Sequence, residues 1–456
     1  MIQHTSTEEE RTTAIPSTLL RIFASDGPLA KALPGYAPRQ QQLEMAVAVW
    51  RALDVQQPLI VEAGTGIGKS LAYLIPSALW ASQYRKKVIV ATYTRTLQEQ
   101  LIAKDLPIVS DVLRRLGLTI QYALLMGAEN YLCVQRLTHC VNQGKALFDT
   151  DGEEQILGKL HAWTRTAMTG LRSRIPLRVP ESVWGRVCRD ADLCLGRRGP
   201  AWQTCLYRKD ITHARQANLV VVNQHLLFAG LSLPGVDALI IDEAHNLEGV
   251  AAQFLGFSLT DRSVRRLLDD TLSPQTGRGL AVRLAQQPER WRKDVGVAVQ
   301  KADAAAKDLF EQIRPLLDGE PERTAGVSTI LPRSEQADAT GDTVRRRIQQ
   351  PHLLRDLLSE SLGRLAELLE EALARSETAE QEAEIRAHVA RHAQAARQLK
   401  EFLACGRPDY AYWIEQGPAS RGSLLSLHMA PLEISEPVTE VLQNGLTRVY
   451  NSGRPG

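Results

Sequence analysis

Four short apolar runs, continuous rather than alternating, punctuate the N-terminal half of the chain. They are Leu59-Ile60-Val61-Glu62, Lys87-Val88-Ile89-Val90-Ala91-Thr92, Ala217-Asn218-Leu219-Val220-Val221-Val222-Asn223 and Val236-Asp237-Ala238-Leu239-Ile240-Ile241. Unbroken β-branched runs bounded by polar or glycine-rich sequence predict strands buried on both faces of a parallel sheet. Helical spacing separates them, beginning with Met45, Val47, Ala48, Trp50 and Leu53 before the first run. The alternation predicts an α/β fold built on a doubly wound parallel sheet.

From about Gly249 to Ala404 the period changes. Leu309, Phe310, Ile313, Leu316 and Leu317, then Leu362, Leu365, Leu368, Leu369 and Leu373, then Ile385, Val389, Ala393 and Ala396 recur every three or four residues. This predicts an antiparallel helical insertion, with polar joints near Gly319-Glu320-Pro321 and from Ser334 to Asp342. Ser423 to Met429 then reads as a strand returning to the first sheet. Residues 1–28 are polar and aperiodic, which predicts a disordered leader with order from Leu29. The Gly/Pro-rich end, Thr447 to Gly456, matches no strand pattern.

The hydrophobic fraction of 44% and charged fraction of 23% are those of an ordinary soluble protein. A net charge of only +2 means that any binding to a polyanion must rest on local basic surface. The N-terminus has neither a basic region nor an apolar core, and no stretch reaches membrane-spanning length, so a cytoplasmic protein without membrane contact is expected. Six cysteines in that setting suggest thiols or metal ligands in preference to disulfides.

The first apolar run stops at Ala63-Gly64-Thr65-Gly66-Ile67-Gly68-Lys69-Ser70. Glycines let successive backbone N–H groups curl around an anion, and a following helix adds the positive end of its dipole. Gly64, Thr65, Gly66 and Gly68 would thus cradle phosphates, Lys69 would reach the β- and γ-phosphates of ATP, and Ser70 would ligate Mg²⁺. Ala63 stands where the general pattern has glycine. The fourth run ends in Asp242-Glu243-Ala244-His245. There Asp242 would share the Mg²⁺, Glu243 would orient the attacking water, and His245 would couple the nucleotide state to the other half of the site. Upstream, Arg39 and Gln42 are placed to bond the edge of an adenine, with Tyr36 near the ring; a loop and helix cap is the other reading. Thr92, Thr94 and Arg95 lie at the C-terminal edge of the second run, where ligands of open α/β sheets bind. They are candidates for a nucleic-acid phosphate, although a hydroxyl-capped helix start explains the threonines nearly as well.

Taken with Asn223-Gln224-His225, these segments resemble the XPD-like superfamily-two DNA helicases, specifically the bacterial DinG/YoaA branch, from about residue 25 to about residue 445. Alanine at position 63 is usual in such loops. The resemblance implies a RecA-like P-loop ATPase that moves 5′ to 3′ on single-stranded DNA, acting on single-stranded and forked DNA in repair or replication. The implied layout is a leader (1–28), the motor domain in three parts (29–126, 211–248 and 405–446), an iron–sulfur-type insertion (127–210) and a helical arch (249–404). Residues 447–456 would be an aberrant tail just where the family has a Ser-Ala-Thr strand, so a second motor domain, with the arginines that complete the ATP site, is expected to be absent. Such a chain would bind nucleotide weakly and not unwind DNA alone. A non-catalytic, DNA-binding remnant is the alternative.

The family also implies four cysteines around a [4Fe-4S] cluster. Cys133, Cys194 and Cys205 match, but the remaining position is Gly199. Cys188 as a replacement ligand, a three-thiolate cluster and no cluster all stay open; Cys140 and Cys405 are off pattern. Between Trp163 and Lys209 there are ten Lys or Arg against three Asp or Glu, interleaved with Trp184, Trp202 and Tyr207. Arginines with aromatics suit sequence-tolerant strand binding, and a solvated face is the other reading.

Overall fold

The computed structural model describes residues 2–3, 16–64, 66–143, 151–230, 233–318, 327–329, 343–417, 424–442 and 447–452. In chain order the strands are β1 (Ile2–Gln3), β2 (Leu59–Glu62), β3 (Val88–Thr92), β4 (Tyr122–Leu124), β5 (Leu219–Asn223), β6 (Ala238–Ile241), β7 (Phe257–Thr260), β8 (Val327–Thr329), β9 (Val344–Ile348), β10 (Tyr410–Gln416), β11 (Leu425–Pro431) and β12 (Thr447–Ser452). The chain divides into two compact units. One comprises Met1–Asp190, Arg197–Ala251 and Ser435–Gly456, the other Ala191–Gly196 and Ala252–Ile434.

In the first unit the strands run β1-β2-β12-β6-β3-β5-β4, parallel throughout except for β1, which pairs antiparallel with β2. The four expected strands are all present as β2, β3, β5 and β6. Their side chains and those of the helices Gln40–Val55 and Lys69–Tyr84 form one core around Trp50, Leu74, Val90 and Ile240. Residues 127–210 carry four helices, Val134–Gln143, Asp151–Thr164, Glu181–Val187 and Leu206–Gln216. Leu137, Leu160 and Val183 anchor their small separate core.

Three expectations are corrected here. Residues 447–452 are a strand: β12 lies between β2 and β6, with Val449 opposite both Leu59 and Ile240 and fully buried. Its apolar core, Val449-Tyr450, is two residues long and is followed by Asn451-Ser452 and then Gly453 and Pro455, so composition hides it. The leader is structured from residue 16, because helix Ser17–Ile22 buries Leu19, Ile22 and the following Phe23 in the main core. Six residues, fewer than two turns, are too short to show a period. Finally, β11 does not return to the first sheet.

It belongs instead to the second unit, whose five strands run β7-β11-β10-β9-β8, all antiparallel. Residues 405–434 are therefore part of that unit, and the chain rejoins the first only at helix Ser435–Leu442. In β10, Tyr412 and Ile414 are buried while their neighbours are not, the alternation of a sheet covered on one face. The covering layer is the expected helical insertion: Asp261–Leu272, Glu289–Asp318, Leu358–Glu371 and Ala379–Ala404. Their apolar stripes join Tyr412, Ile414, Leu427 and Met429 in a single core. Both polar joints lie outside the described residues.

Candidate functional site

β2 delivers the chain to the glycine-rich loop, in which Gly66 and Gly68 both sit at φ +83°, a conformation that favours glycine. Thr65 lies outside the described residues. A Cβ at Gly64 or Gly66 would meet nothing within 4 Å, so the loop faces open space, while one at Gly68 would strike Gln42 Nε2 at 2.2 Å. Helix Lys69–Tyr84 starts directly behind, aiming its N-terminus at the loop. Two upstream side chains hold the loop from beneath: the Arg39 guanidinium donates to the Gly66 carbonyl, and Gln42 Nε2 donates to the Gly68 carbonyl at 3.0 Å. Tyr36 points elsewhere, donating its hydroxyl proton to the Phe23 carbonyl at 3.2 Å.

Asp242, at the end of β6, is buried and densely bonded. Tyr73 Oη donates to its Oδ2 at 3.0 Å, Asn451 Nδ2 to Oδ1 at 2.8 Å and the Glu243 N–H to Oδ1 at 3.1 Å. Burial raises the carboxyl pKa, Glu243 adds to the rise, and the three donors oppose it. Burial and then Asp242 push the Tyr73 phenol well above its ordinary range, while a hydrogen bond from Ser70 pulls the other way. Burial raises the Asp105 carboxyl pKa, opposed by Gln100 Nε2 at 3.5 Å and by Ser70. A buried chain of side-chain hydrogen bonds thus runs Tyr73, Asp242, Asn451. It joins the helix behind the loop to the strand-end aspartate that sequence alone pairs with it only by motif.

Glu243 occupies the left-handed region at φ 55°, an unusual and costly conformation for a residue with a Cβ. Gln224, fully buried, fixes that turn by donating Nε2 to the carbonyls of Asp242 at 2.8 Å and Glu243 at 3.1 Å. His245 Nε2 lies 3.6 Å from Glu243 Oε2 and 3.0 Å from Asn246 Nδ2. At the neighbouring strand end, Thr92 is fully buried and its hydroxyl has no partner among the described residues. Thr94 caps helix Arg95–Gln100 by accepting from the Leu97 N–H at 3.2 Å, and Arg95 is exposed.

The cysteines come only partly together. Leu132 bridges to Cys188 and the Cys133 N–H donates to the Val187 carbonyl at 2.8 Å, so Cys133 and Cys188 sit on adjoining backbone. Cys205 stands at the N-cap position of helix Leu206–Gln216 without a side-chain cap bond, and Cys194 belongs to the segment grouped with the second unit. The Cys188 sulfur is 3.8 Å from both Arg136 Nη1 and the Gly185 carbonyl. Among the described residues no three His, Cys, Asp or Glu side chains form a metal-binding group. The interleaved aromatics are also used internally: Trp184 is buried and donates Nε1 to the Glu129 carbonyl, Arg189 covers Tyr207 at 4.2 Å, and Arg208 covers Trp202 at 5.0 Å. Arg165, Arg178, Arg197 and Arg198 remain exposed.

Of the residues that hold this site together, Tyr73, Asp105 and Asn451 went unread in the sequence. The available signal was a polar group on an otherwise apolar element, as Tyr73 is on its helix.

Compared with known proteins, the sequence is 34% identical over 435 residues to the ATP-dependent DNA helicase YoaA of Escherichia coli strain K12, covering 92% of this chain and 60% of that protein. It is 30% identical over 431 residues to YoaA of Haemophilus influenzae, covering 92% and 59%. The chain is similar to the YoaA helicases over 92% of its own length. To the ATP-dependent helicase DinG of Mycobacterium tuberculosis it is 33% identical over 266 residues, covering 53% of this chain and 40% of that one. The chain therefore spans about 60% of the length of the YoaA proteins it matches. No family model matches. A solved truncated XPD aligns over 90% of the chain at a TM-score of 0.37 and 14% identity, too loosely to argue from. No helix among the described residues is long and apolar enough to cross a membrane.

Proposed function

We propose that the first unit is the ATP-binding motor half of a DNA helicase that tracks 5′ to 3′ on single-stranded DNA. The observation that carries this is the Tyr73–Asp242 hydrogen bond, which ties the helix beginning at Lys69-Ser70 to the strand end bearing Asp242-Glu243. In this reading the loop N–H groups and Lys69 bind the nucleotide phosphates, and Ser70 and Asp242 hold Mg²⁺. A buried carboxylate beside an open glycine cradle fits that ion. Held by Ser70 and Asp242, that ion would supply neutralisation of the phosphate charge. Glu243, its backbone fixed by Gln224, orients the water that attacks the γ-phosphate, and His245 steadies the Glu243 carboxylate. Arg39 and Gln42 set the shape of the loop and lie on the side where an adenine would enter. Thr94 and Arg95 are the candidate contacts to a DNA phosphate.

ATP hydrolysis measured with and without an oligothymidylate tests the reading. Turnover that rises with the oligonucleotide and disappears in Glu243→Gln supports it. Strand binding with no turnover at any nucleotide concentration favours a non-catalytic DNA-binding role instead.

A further inference from the structure

Tyr73 and Asp242 meet in the interior of the first unit, at 0% and 6% exposure. A carboxylate offers roughly four acceptor positions, two on each oxygen. In Asp242 both positions on Oδ1 are taken, by Asn451 Nδ2 at 2.8 Å and by the Glu243 N–H at 3.1 Å. Tyr73 Oη takes one on Oδ2 at 3.0 Å. One position on Oδ2 is left among the described residues. The three donors come from three elements, helix Lys69–Tyr84, β12 and the turn after β6, so the carboxylate cannot rotate without breaking a bond. Tyr73 stands three residues after Ser70, which puts both on one face of that helix. Its ring lies in the apolar core, which holds the hydroxyl in place.

We infer that Tyr73 is a positioning residue that sets the cation preference of the proposed nucleotide site, by leaving Asp242 a single Oδ2 lone pair with which to face the metal. The inference rests on the Mg-ATP reading and deepens it. A carboxylate limited to one lone pair serves a small octahedral ion that keeps several of its waters, as Mg²⁺ does. Ca²⁺ is larger, gathers roughly six to eight oxygens and can take a carboxylate through both of its own. Asp242 cannot supply that grip, because Oδ1 already carries two donors and Tyr73 keeps the group from turning. Without the Tyr73 hydroxyl, Oδ2 regains a second lone pair and the carboxylate gains freedom to turn. A purely structural hydroxyl, buried and satisfied by the nearest acceptor, would add stability and leave the cation preference alone.

Titration of the intact chain with a fluorescent ATP analogue in Mg²⁺, in Ca²⁺ and in neither, with thermal unfolding of the same samples, tests this. In the wild type Mg²⁺ should raise nucleotide affinity more than Ca²⁺ does. Tyr73→Phe, which keeps the buried ring, should weaken the Mg²⁺-dependent gain about 10- to 100-fold, the loss usual for a residue that orients a metal ligand. The Ca²⁺ gain and the metal-free affinity should stay close to wild type, so that the two cations converge. A lower melting temperature with wild-type cation preference overturns the inference and leaves the ATP site standing. Equal gains from Mg²⁺ and Ca²⁺ in the wild type also overturn it, and need no variant should Tyr73→Phe fail to fold. No gain from either cation in the wild type removes the Mg-ATP reading and the inference with it.

Discussion

Asn451 Nδ2 donates a hydrogen bond to Asp242 Oδ1 at 2.8 Å, joining the last described strand to the acidic end of β6. Both side chains are buried, and the Asn451 Oδ1 has no partner among the described residues. Asn451 therefore serves the carboxylate, since a buried amide that satisfies only its donor side is otherwise a poor choice. β12 is thus structurally part of the candidate ATP site.

Asn451→Leu keeps the volume and removes the donor. Losing a hydrogen bond to a buried charge costs about 1.5–3 kcal/mol, so thermal unfolding of the first unit should move down by several degrees. Metal-dependent nucleotide binding should weaken more than metal-free binding, as Asp242 loses its orientation. An unchanged melting curve would separate β12 from the site.

How far the sequence revealed this arrangement depended on the length of each signal. β2, β3, β5 and β6 are continuous apolar runs, and the Gly-Lys-Ser and Asp-Glu-Ala-His segments fall at their ends, so the sheet and both ends of the site were legible. β4 spans three residues and β12 ends against Gly453 and Pro455, too little pattern for either to register. The β10–β11 pair was read partly, but which sheet it joins depends on long-range pairing that no local period encodes. Tyr73 could not be assigned because its role depends on Asp242, 169 residues away.

A second buried cluster predicts acid sensitivity in the other unit. His392 is fully buried, donates Nδ1–H to the His388 carbonyl at 2.8 Å, and turns Nε2 to the Thr271 hydroxyl at 3.3 Å. Burial, with Arg391 adding to it, lowers its pKa to about 4. The unfolded state binds a proton near pH 6.5 and the folded state only near pH 4, so stability is full above the first value and falls as pH drops between them. The loss approaches roughly 3 kcal/mol at its acid end. Denaturant midpoints from pH 7 to pH 4.5 should decline in the wild type and decline less in His392→Gln. Parallel curves would contradict the assignment.

The cysteines yield a prediction about iron. Cys188 packs its sulfur against Arg136 and the Gly185 carbonyl, and Gly199 offers no thiol. Anaerobically purified protein should contain fewer than four irons per chain, with visible absorbance unaltered by Cys188→Ser. A full complement of iron that is lost in Cys188→Ser would show that the cysteines rearrange into a ligand set.

The central claim is that the glycine-rich loop and Asp242 form one Mg-ATP site, and equilibrium titration with a fluorescent ATP analogue tests it most directly. In the wild type, affinity should rise when Mg²⁺ is added. Lys69→Ala should abolish binding under both conditions, and Asp242→Asn should remove only the Mg²⁺-dependent gain. Equal affinity in Lys69→Ala and wild type, or a Mg²⁺ response that survives Asp242→Asn undiminished, would contradict the account.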